Sequence, residues 1–326
     1  MNNILLCSAG RRVELAQAFK TEIAARGLSS KLISTDLNPA LSAVSQFVDV
    51  AVASPRVTDA GYPEFLLDLC KTQSIGLVVP TIDTELLLLA QHREAFAAQG
   101  IQLVISDVAL VSACRDKRIT ARLFAELGIA SPEIYDRDDR YDSKAIRFPC
   151  FAKPFDGSRS IGAVTLADTK ALNDDMLADP RMIFMALVDA THTEFTVDAY
   201  FDRGGQLACM VPRQRIEVRD GEISKGATRR HAVYDYLLPK LKKLKGARGC
   251  LTLQLFANVQ TGSFAAIEIN PRFGGGYPLS YSAGANYPGW IIDEYLLGKP
   301  VPFFDGWEAD LLMLRYDAKV LVHGAA

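Results

Sequence analysis

The sequence predicts a chain that is α/β at its amino end and α+β beyond it, and three observations carry that expectation. Over roughly the first third, short apolar runs alternate with amphipathic helical stretches, the pattern of an open parallel sheet. After Asp107 the pattern changes to hairpins with Gly-rich or Gly-containing turns. The stretch "AAIEINPRFGGGYPLS", residues 265–280, then sets Glu268 and Asn270 two apart in an apolar strand and follows them with Arg272 and Gly274-Gly275-Gly276.

The elements read in order. Ile4 to Cys7 is a strand, Ser8-Ala9-Gly10 a tight connection, and Val13, Leu15, Ala16 and Phe19 the apolar positions of a helix. Further strands are Lys31 to Thr35, ending at Asp36, Leu77 to Val79, ending near Asp83, and Gln102 to Ile105. Ligands of open parallel sheets sit at the carboxyl ends of strands, so Asp36, Asp83 and Glu85 either face a crevice or cap the helices that follow. Ser8-Ala9-Gly10-Arg11 supplies one glycine where a dinucleotide fingerprint needs three, so NAD is disfavoured. Arg11 and Arg12 either hold an anion such as a substrate carboxylate or are simply solvated.

From Asp116, "DKRITARLFAELG" predicts a helix capped by Asp116, with Lys117 at its start and Ile119, Leu123, Phe124 and Leu127 on one face. The charged run Asp136 to Lys144 is expected to be a surface connection. Cys150 to Lys153 and Ala163 to Leu166 predict a hairpin whose tip, Asp156 to Gly162, is built of glycines and hydroxyls able to fold over polyphosphate. It is not a Walker A loop, since no Lys-Ser or Lys-Thr follows its second glycine.

"LTLQLFANVQTGSFAAIEINPR" predicts two strands around a Gln-Thr-Gly turn, with Gln254 opposite Glu268. Three oxygen-bearing side chains then converge on one face, spaced so that a hard cation such as Mg²⁺ can be shared with phosphate oxygens. The alternative is a polar cluster bonded to itself, with Arg272 as the partner of Glu268. Arg213 and Arg215 share a strand face and suggest an anionic substrate group nearby.

Composition excludes whole classes of function. With 36 basic and 38 acidic side chains the net charge is −2, which gives no field for nucleic acid or an anionic membrane. The six cysteines are scattered without metal-ligand spacing, consistent with free buried thiols in a reducing compartment. No apolar segment reaches the length of a signal core or a membrane span, and a cytoplasmic location is expected. Leu296 to Phe304 and Leu311 to Val322 could pack on the core or on a second subunit, which would make a homodimer.

Together, Lys117, Lys153 before its Gly/Ser loop, Glu194 in "TEFTVDAY", Gln254 and "EINPR" at Glu268 to Arg272 resemble the ATP-grasp superfamily. The branch most similar holds one half of the carbamoyl-phosphate synthase large subunit and the stand-alone carboxylate–amine ligases. The resemblance covers essentially the whole chain. It implies a Rossmann-like pre-ATP-grasp domain at 1–110, a lid subdomain with its connecting helix at 111–187, and an antiparallel-sheet subdomain carrying the metal site at 188–326.

It further implies ATP, Mg²⁺ (with Mn²⁺ as a substitute), and a carboxylate and an amine substrate of amino-acid-like character. Lys117 and Lys153 would contact phosphates, and Gly157, Ser158, Ser160 and Gly162 would close over them. Glu194 would hold the ribose, Gln254, Glu268 and Asn270 the metal, and Arg272 the acyl phosphate or tetrahedral intermediate, with Lys153 also assigned to catalysis. Where many members place Gln-Glu beside adenine this chain has Met185-Ala186, leaving backbone groups of Ala186, Leu187 and Val188 to read the base. Arg213, Arg215, Gly274, Gly275 and Asp83 are candidates for substrate contact. A regulatory ATP-binding protein without turnover is the alternative, and one grasp unit is too few for carbamoyl-phosphate synthesis as the family performs it.

Overall fold

A computed structural model describes residues 2–135, 146–157, 161–219 and 221–323. Ser158, Ser160 and the connection Asp136 to Lys144 lie outside the described residues.

The amino-terminal alternation becomes β1 (Asn3–Cys7), α1 (Val13–Ala25), β2 (Leu32–Asp36), β3 (Val50–Ala53), α2 (Tyr62–Thr72), β4 (Ile75–Pro80), α3 (Asp83–Ala97) and β5 (Gln102–Leu103). The strands form a parallel sheet in the order β3-β2-β1-β4-β5. The edge strand β3 is absent from the sequence expectation, because its residues alternate between half-buried and exposed and give no continuous apolar run. The order reverses at β1 and β4, so the loops after Cys7 and Pro80 flank the switch point where such sheets bind ligands.

Two helices follow, α4 (Val108–Arg115) and α5 (Lys117–Glu126). The Asp116 carboxylate accepts from the Arg118 amide at 2.9 Å and so caps α5 as expected. The buried face of this helix is Thr120, Phe124 and Leu127, whereas Ile119 turns outward and is 42% exposed. Thr120 takes the inward position because its hydroxyl finds the Ala113 carbonyl at 2.8 Å.

A small antiparallel sheet, β7-β6-β8, contains β6 (Cys150–Pro154), β7 (Val164–Leu166) and β8 (Met182–Ala186), with α6 (Asp174–Ala178) before its last strand. The larger antiparallel sheet runs β13-β12-β9-β10-β11-β14. Its strands are β9 (Thr193–Phe201), β10 (Leu207–Arg219), β11 (Glu222–Thr228), β12 (Gly249–Asn258), β13 (Ser263–Asn270) and β14 (Leu312–Leu314). Helices α7 (Ala232–Leu241), α8 (Tyr277–Ser282) and α9 (Tyr287–Tyr295) pack around it.

One core joins the two ends of the chain: Leu6 and Phe19 pack with Val197, Leu253, Phe273 and Ile292. The small sheet keeps its own cluster around Cys150, Ala152 and Phe184. All six cysteines are free thiols, five of them buried. Of the apolar carboxyl-terminal stretches, Val301 and Leu311 pack on the core, whereas Leu312, Leu314, Tyr316 and Leu321 are exposed.

Candidate active site

The six-stranded sheet turns one polar face toward the cleft. Antiparallel pairing places Gln254 opposite both Glu268 and Thr196, and Thr196 opposite Arg213, a straight row across four strands. The register expected from sequence is therefore present, although it depends on a one-residue shift between Gln254 and Leu255. Without that bulge the pairing at the tip, Asn258 with Ser263, would have carried Glu268 past Gln254.

Within this row Glu268 is half-buried, and the Asn270 amide nitrogen donates to its Oε1 at 3.0 Å. That bond orients the amide oxygen of Asn270 away from the carboxylate, so one carboxylate and two amide oxygens remain as donors. Among the described residues there is no cluster of three or more His, Cys, Asp or Glu side chains suited to a metal. A donor set this sparse fits Mg²⁺, which keeps water and phosphate in its remaining positions, better than a cation needing a full protein cage.

Two lysines face that row. Lys153 on β6 is 9% exposed, forms no ion pair among the described residues, and is held down to about 8 by burial, with Glu268 pulling upward and Lys117 pushing further down. Lys117 is lowered too, again by burial first, with Glu268 opposing. Its amide donates to the Phe155 carbonyl at 3.0 Å, and its ammonium donates to the Gly157 carbonyl at 2.5 Å, so the start of α5 is tied to the loop after β6. Two cations drawn out of water, neither in an ion pair among the described residues, offer positive charge that a polyanion would satisfy.

The loop glycines have a steric role as well as the expected one. A Cβ on Gly157 would sit 3.3 Å from the Pro154 side chain, and Gly162 adopts φ +74°, where other residues are strained. At the expected adenine strand, the amide of Ala186 is taken by the Glu133 carbonyl at 2.9 Å, because Met185 bridges to Ile134. Ala186 therefore has no free N–H for a base in this conformation. Met185 is buried, and Leu187 and Val188 continue beyond the strand with Leu187 exposed.

Glu194 lies in the row next to Gln254, opposite Phe256. Burial raises its pKa, opposed by Arg215, whose Nε forms an ion pair with its carboxylate at 3.0 Å. Arg213 is 1% exposed and closed on Asp198 through bonds of 2.7 and 3.0 Å. Ser280 adds a 2.6 Å bond to the same carboxylate, so Arg213 supports the floor of the site and does not reach into it.

Arg272 and Asp83 are brought together from opposite ends of the chain, in a bidentate pair of 3.0 and 2.7 Å. Glu85 is not in the crevice. Fully buried, it accepts from the amides of Thr81 and Ile82 and from the hydroxyls of Ser8 and Tyr62, and burial raises its pKa despite these bonds. Asp36 only caps its own turn, accepting from the Asn38 amide.

The glycines after Arg272 have an explanation each. A Cβ on Gly274 would lie 3.1 Å from the Thr252 hydroxyl, one on Gly275 would lie 2.8 Å from the Glu222 carboxyl, and one on Gly276 would collide with Arg213 and Ile223. Gly274 and Gly275 also line a cavity against the start of α1. Thr196, Asp198, Glu222 and Arg315 are the site-forming residues that sequence reasoning did not name. The alternation in "TEFTVDAY" was a usable signal for the first two, since Glu194, Thr196 and Asp198 share a face.

This architecture superimposes on known structures. The Campylobacter jejuni biotin carboxylase in complex with β,γ-ATP matches with a TM-score of 0.74 at 15% identity, over 95% of this chain and 74% of that one. The biotin carboxylase domain of the Hydrogenobacter thermophilus 2-oxoglutarate carboxylase, solved as a dimer with MgADP, ADP and bicarbonate, gives 0.73 at 13% identity, over 95% and 73%. This is an ATP-grasp fold. The Staphylococcus aureus N5-carboxyaminoimidazole synthetase shares the ATP-grasp architecture with a TM-score of 0.69 at 12% identity, over 92% and 78%. Family models agree: residues 4–104 match "PylC-like, N-terminal domain", and residues 178–311 match "ATP-grasp in the biosynthetic pathway with Ter operon". Among curated proteins, the vancomycin B-type resistance protein VanB of Enterococcus faecalis is 31% identical over 80 residues, which is 24% of this chain and 23% of that protein. Among the described residues no helix of this ATP-grasp chain is long and apolar enough to cross a membrane.

Proposed function

We propose that the chain is an ADP-forming ligase that uses ATP and Mg²⁺ to activate a small-molecule carboxylate and couple it to an amine. The observation that carries this reading is the pairing of two lysines, the buried Lys153 and the half-buried Lys117, with the row Glu268, Gln254 and Asn270 across one cleft. The terminal phosphoryl group of ATP passes to a carboxylate oxygen, giving an acyl phosphate and ADP. The amine nitrogen attacks the acyl carbon, the bond from carbon to the phosphate oxygen breaks, and the nitrogen loses a proton.

The side chains divide this work. Lys153 and Lys117 neutralise phosphate oxygens, and burial strengthens both contacts. Mg²⁺, held by Glu268 and Asn270 with Gln254 beside them, would supply charge neutralisation between the outer phosphates. Glu194 receives the ribose if Arg215 releases it, and the glycine-flanked loop after Pro154 covers the phosphates. Arg272, already oriented by Asp83, presents its remaining N–H groups to the acyl phosphate. The amine and carboxylate are amino-acid-like by virtue of the arginines and carboxylates that line the adjoining cavity.

The test is an ADP-release screen with amino acids supplied in pairs. ADP formation stimulated by one pair, and mass-spectrometric detection of the joined product, is the expected result. AMP as the nucleotide product would overturn the mechanism. Tight ATP binding without release across the whole screen would instead favour a regulatory protein.

A further inference from the structure

Where Gly275 meets the start of α1, a cavity of about 360 Å³, its open mouth included, is lined by Arg11, Arg12, Glu14, Glu222 and Arg315. Its charges do not balance. One Glu222 oxygen takes Arg11 at 2.9 Å and the other faces Arg315 at 3.3 Å, while a second nitrogen of Arg315 lies 3.5 Å from Glu14. Two guanidiniums therefore pair with two carboxylates, and Arg12 pairs with neither, with Glu222 and Asp83 acting on it only from beyond ion-pair distance. Its side chain makes a single hydrogen bond, to the Thr81 carbonyl at 3.1 Å, and no ion pair among the described residues.

Arg12 and Arg315 are half-buried, whereas Arg11 is exposed. The Arg11 side chain is 66% exposed and that of Arg315 30%, whereas burial and the neighbouring Arg272 hold Arg12 down to about 10. Arg272 is already closed on Asp83 and offers Arg12 only repulsion. A half-buried planar fork without an ion pair among the described residues, at the carboxyl end of β1 and next to the arginine expected at the reacting centre, is a site for a carboxylate. Gly275 keeps the approach open, since a side chain there would press on the Glu222 carboxyl.

We propose that Arg12 docks the carboxylate of the substrate in this cavity, with Glu222 bridging Arg11 and Arg315 across the entrance. The proposal rests on the ligase reading above and narrows it: one carboxylate brings the cavity to three guanidiniums and three carboxylates, and a neutral amide of the same shape leaves it unbalanced.

Calorimetric titration of the full chain, loaded with Mg²⁺ and a non-hydrolysable ATP analogue, provides the test. The probes are the standard amino acids in both enantiomers, acetate and succinate, the carboxamide of the tightest binder, and inorganic phosphate. At least one carboxylate should bind, and its carboxamide should bind about tenfold or more weakly, the loss expected for one charge-assisted contact. Arg12→Gln should produce a similar loss and Arg12→Lys a smaller one.

Equal affinity for acid and carboxamide in the unaltered protein overturns the proposal, as does phosphate binding more tightly than every carboxylate, or no carboxylate binding at all. Carboxylate binding through Arg12 with no ADP release would sustain the site and remove the ligase. ADP release driven by a carboxylate whose KM ignores Arg12→Gln would sustain the ligase and remove the site.

Discussion

Two clusters of buried charge occupy one face of the six-stranded sheet and are built in opposite ways. Arg213 and Asp198, 1% and 0% exposed, close on each other with two hydrogen bonds, and Ser280 fills a further acceptor position. Lys153 and Lys117 both meet Glu268 only from a distance, Lys117 also feels Asp156 and Asp83, and Lys153 forms no ion pair among the described residues. The closed cluster is architecture, and the open one is the site proposed above. Burial alone does not separate them; the satisfaction of the charge does.

The largest expected effect breaks the closed cluster. Asp198→Ala strands a buried guanidinium and should cost about 3 to 5 kcal/mol of stability, measured by chemical denaturation. Replacing both members with apolar residues of similar volume, Asp198→Leu with Arg213→Met, should recover most of that loss. Persistence of the full loss in the double variant would mean that Arg213 does more than balance Asp198.

Next comes the open cluster, where stability and function should move apart. Lys153→Met removes an unpaired buried charge, so the nucleotide-free protein should melt at a higher temperature while ATP binding weakens by about a hundredfold. A lowered melting temperature would show that Lys153 is held by the fold and not reserved for a ligand.

A smaller effect is the pH dependence of the same lysine. Its pKa is depressed in the folded state, to about 8, so between that value and the unfolded one the unfolded chain binds more protons. Stability attributable to Lys153 therefore rises with pH through this window, and is least below it. ATP binding favours the protonated form, so affinity should fall as pH rises past 8, and calorimetry near that pH in buffers of different ionisation enthalpy should register proton uptake. Lys153→Met should lose both trends.

The smallest effect is at the glycines. Gly275→Ala meets only the flexible end of Glu222 and should change stability by less than about 1 kcal/mol, whereas Gly276→Ala meets Arg213 inside the closed cluster and should cost more. Equal losses at both positions would show that the closed cluster can give way around Gly276 as easily as the Glu222 side chain does around Gly275.

Much of this was legible in the sequence where the physics is local. Strand alternation placed Gln254 against Glu268, and the pairing is present because the bulge beside Leu255 compensates the turn. Asp116 capped its helix because a cap needs only its own next turn. What escaped depends on partners distant in sequence. Of the two readings of Glu85, crevice or cap, the cap is the one present, since it accepts from the Ile82 amide, and Ser8 and Tyr62 arrive from other elements to claim its other oxygen. Arg213 looked like a substrate contact until the neighbouring strand supplied Asp198. Ala186 lost its free amide to Glu133, a residue from outside the strand that the sequence reading considered.

The pair formed by Arg272 and Asp83 spans 189 positions and binds the strand that carries "EINPR" to the first turn of α3. It follows that the amino-terminal sheet is not a detachable module. A fragment beginning at α4 would keep both lysines and the row of Glu268, Gln254 and Asn270, yet it would leave Arg272 without its counter-charge. Any chimera that exchanges the first hundred residues must bring an acidic side chain to that same first helical turn.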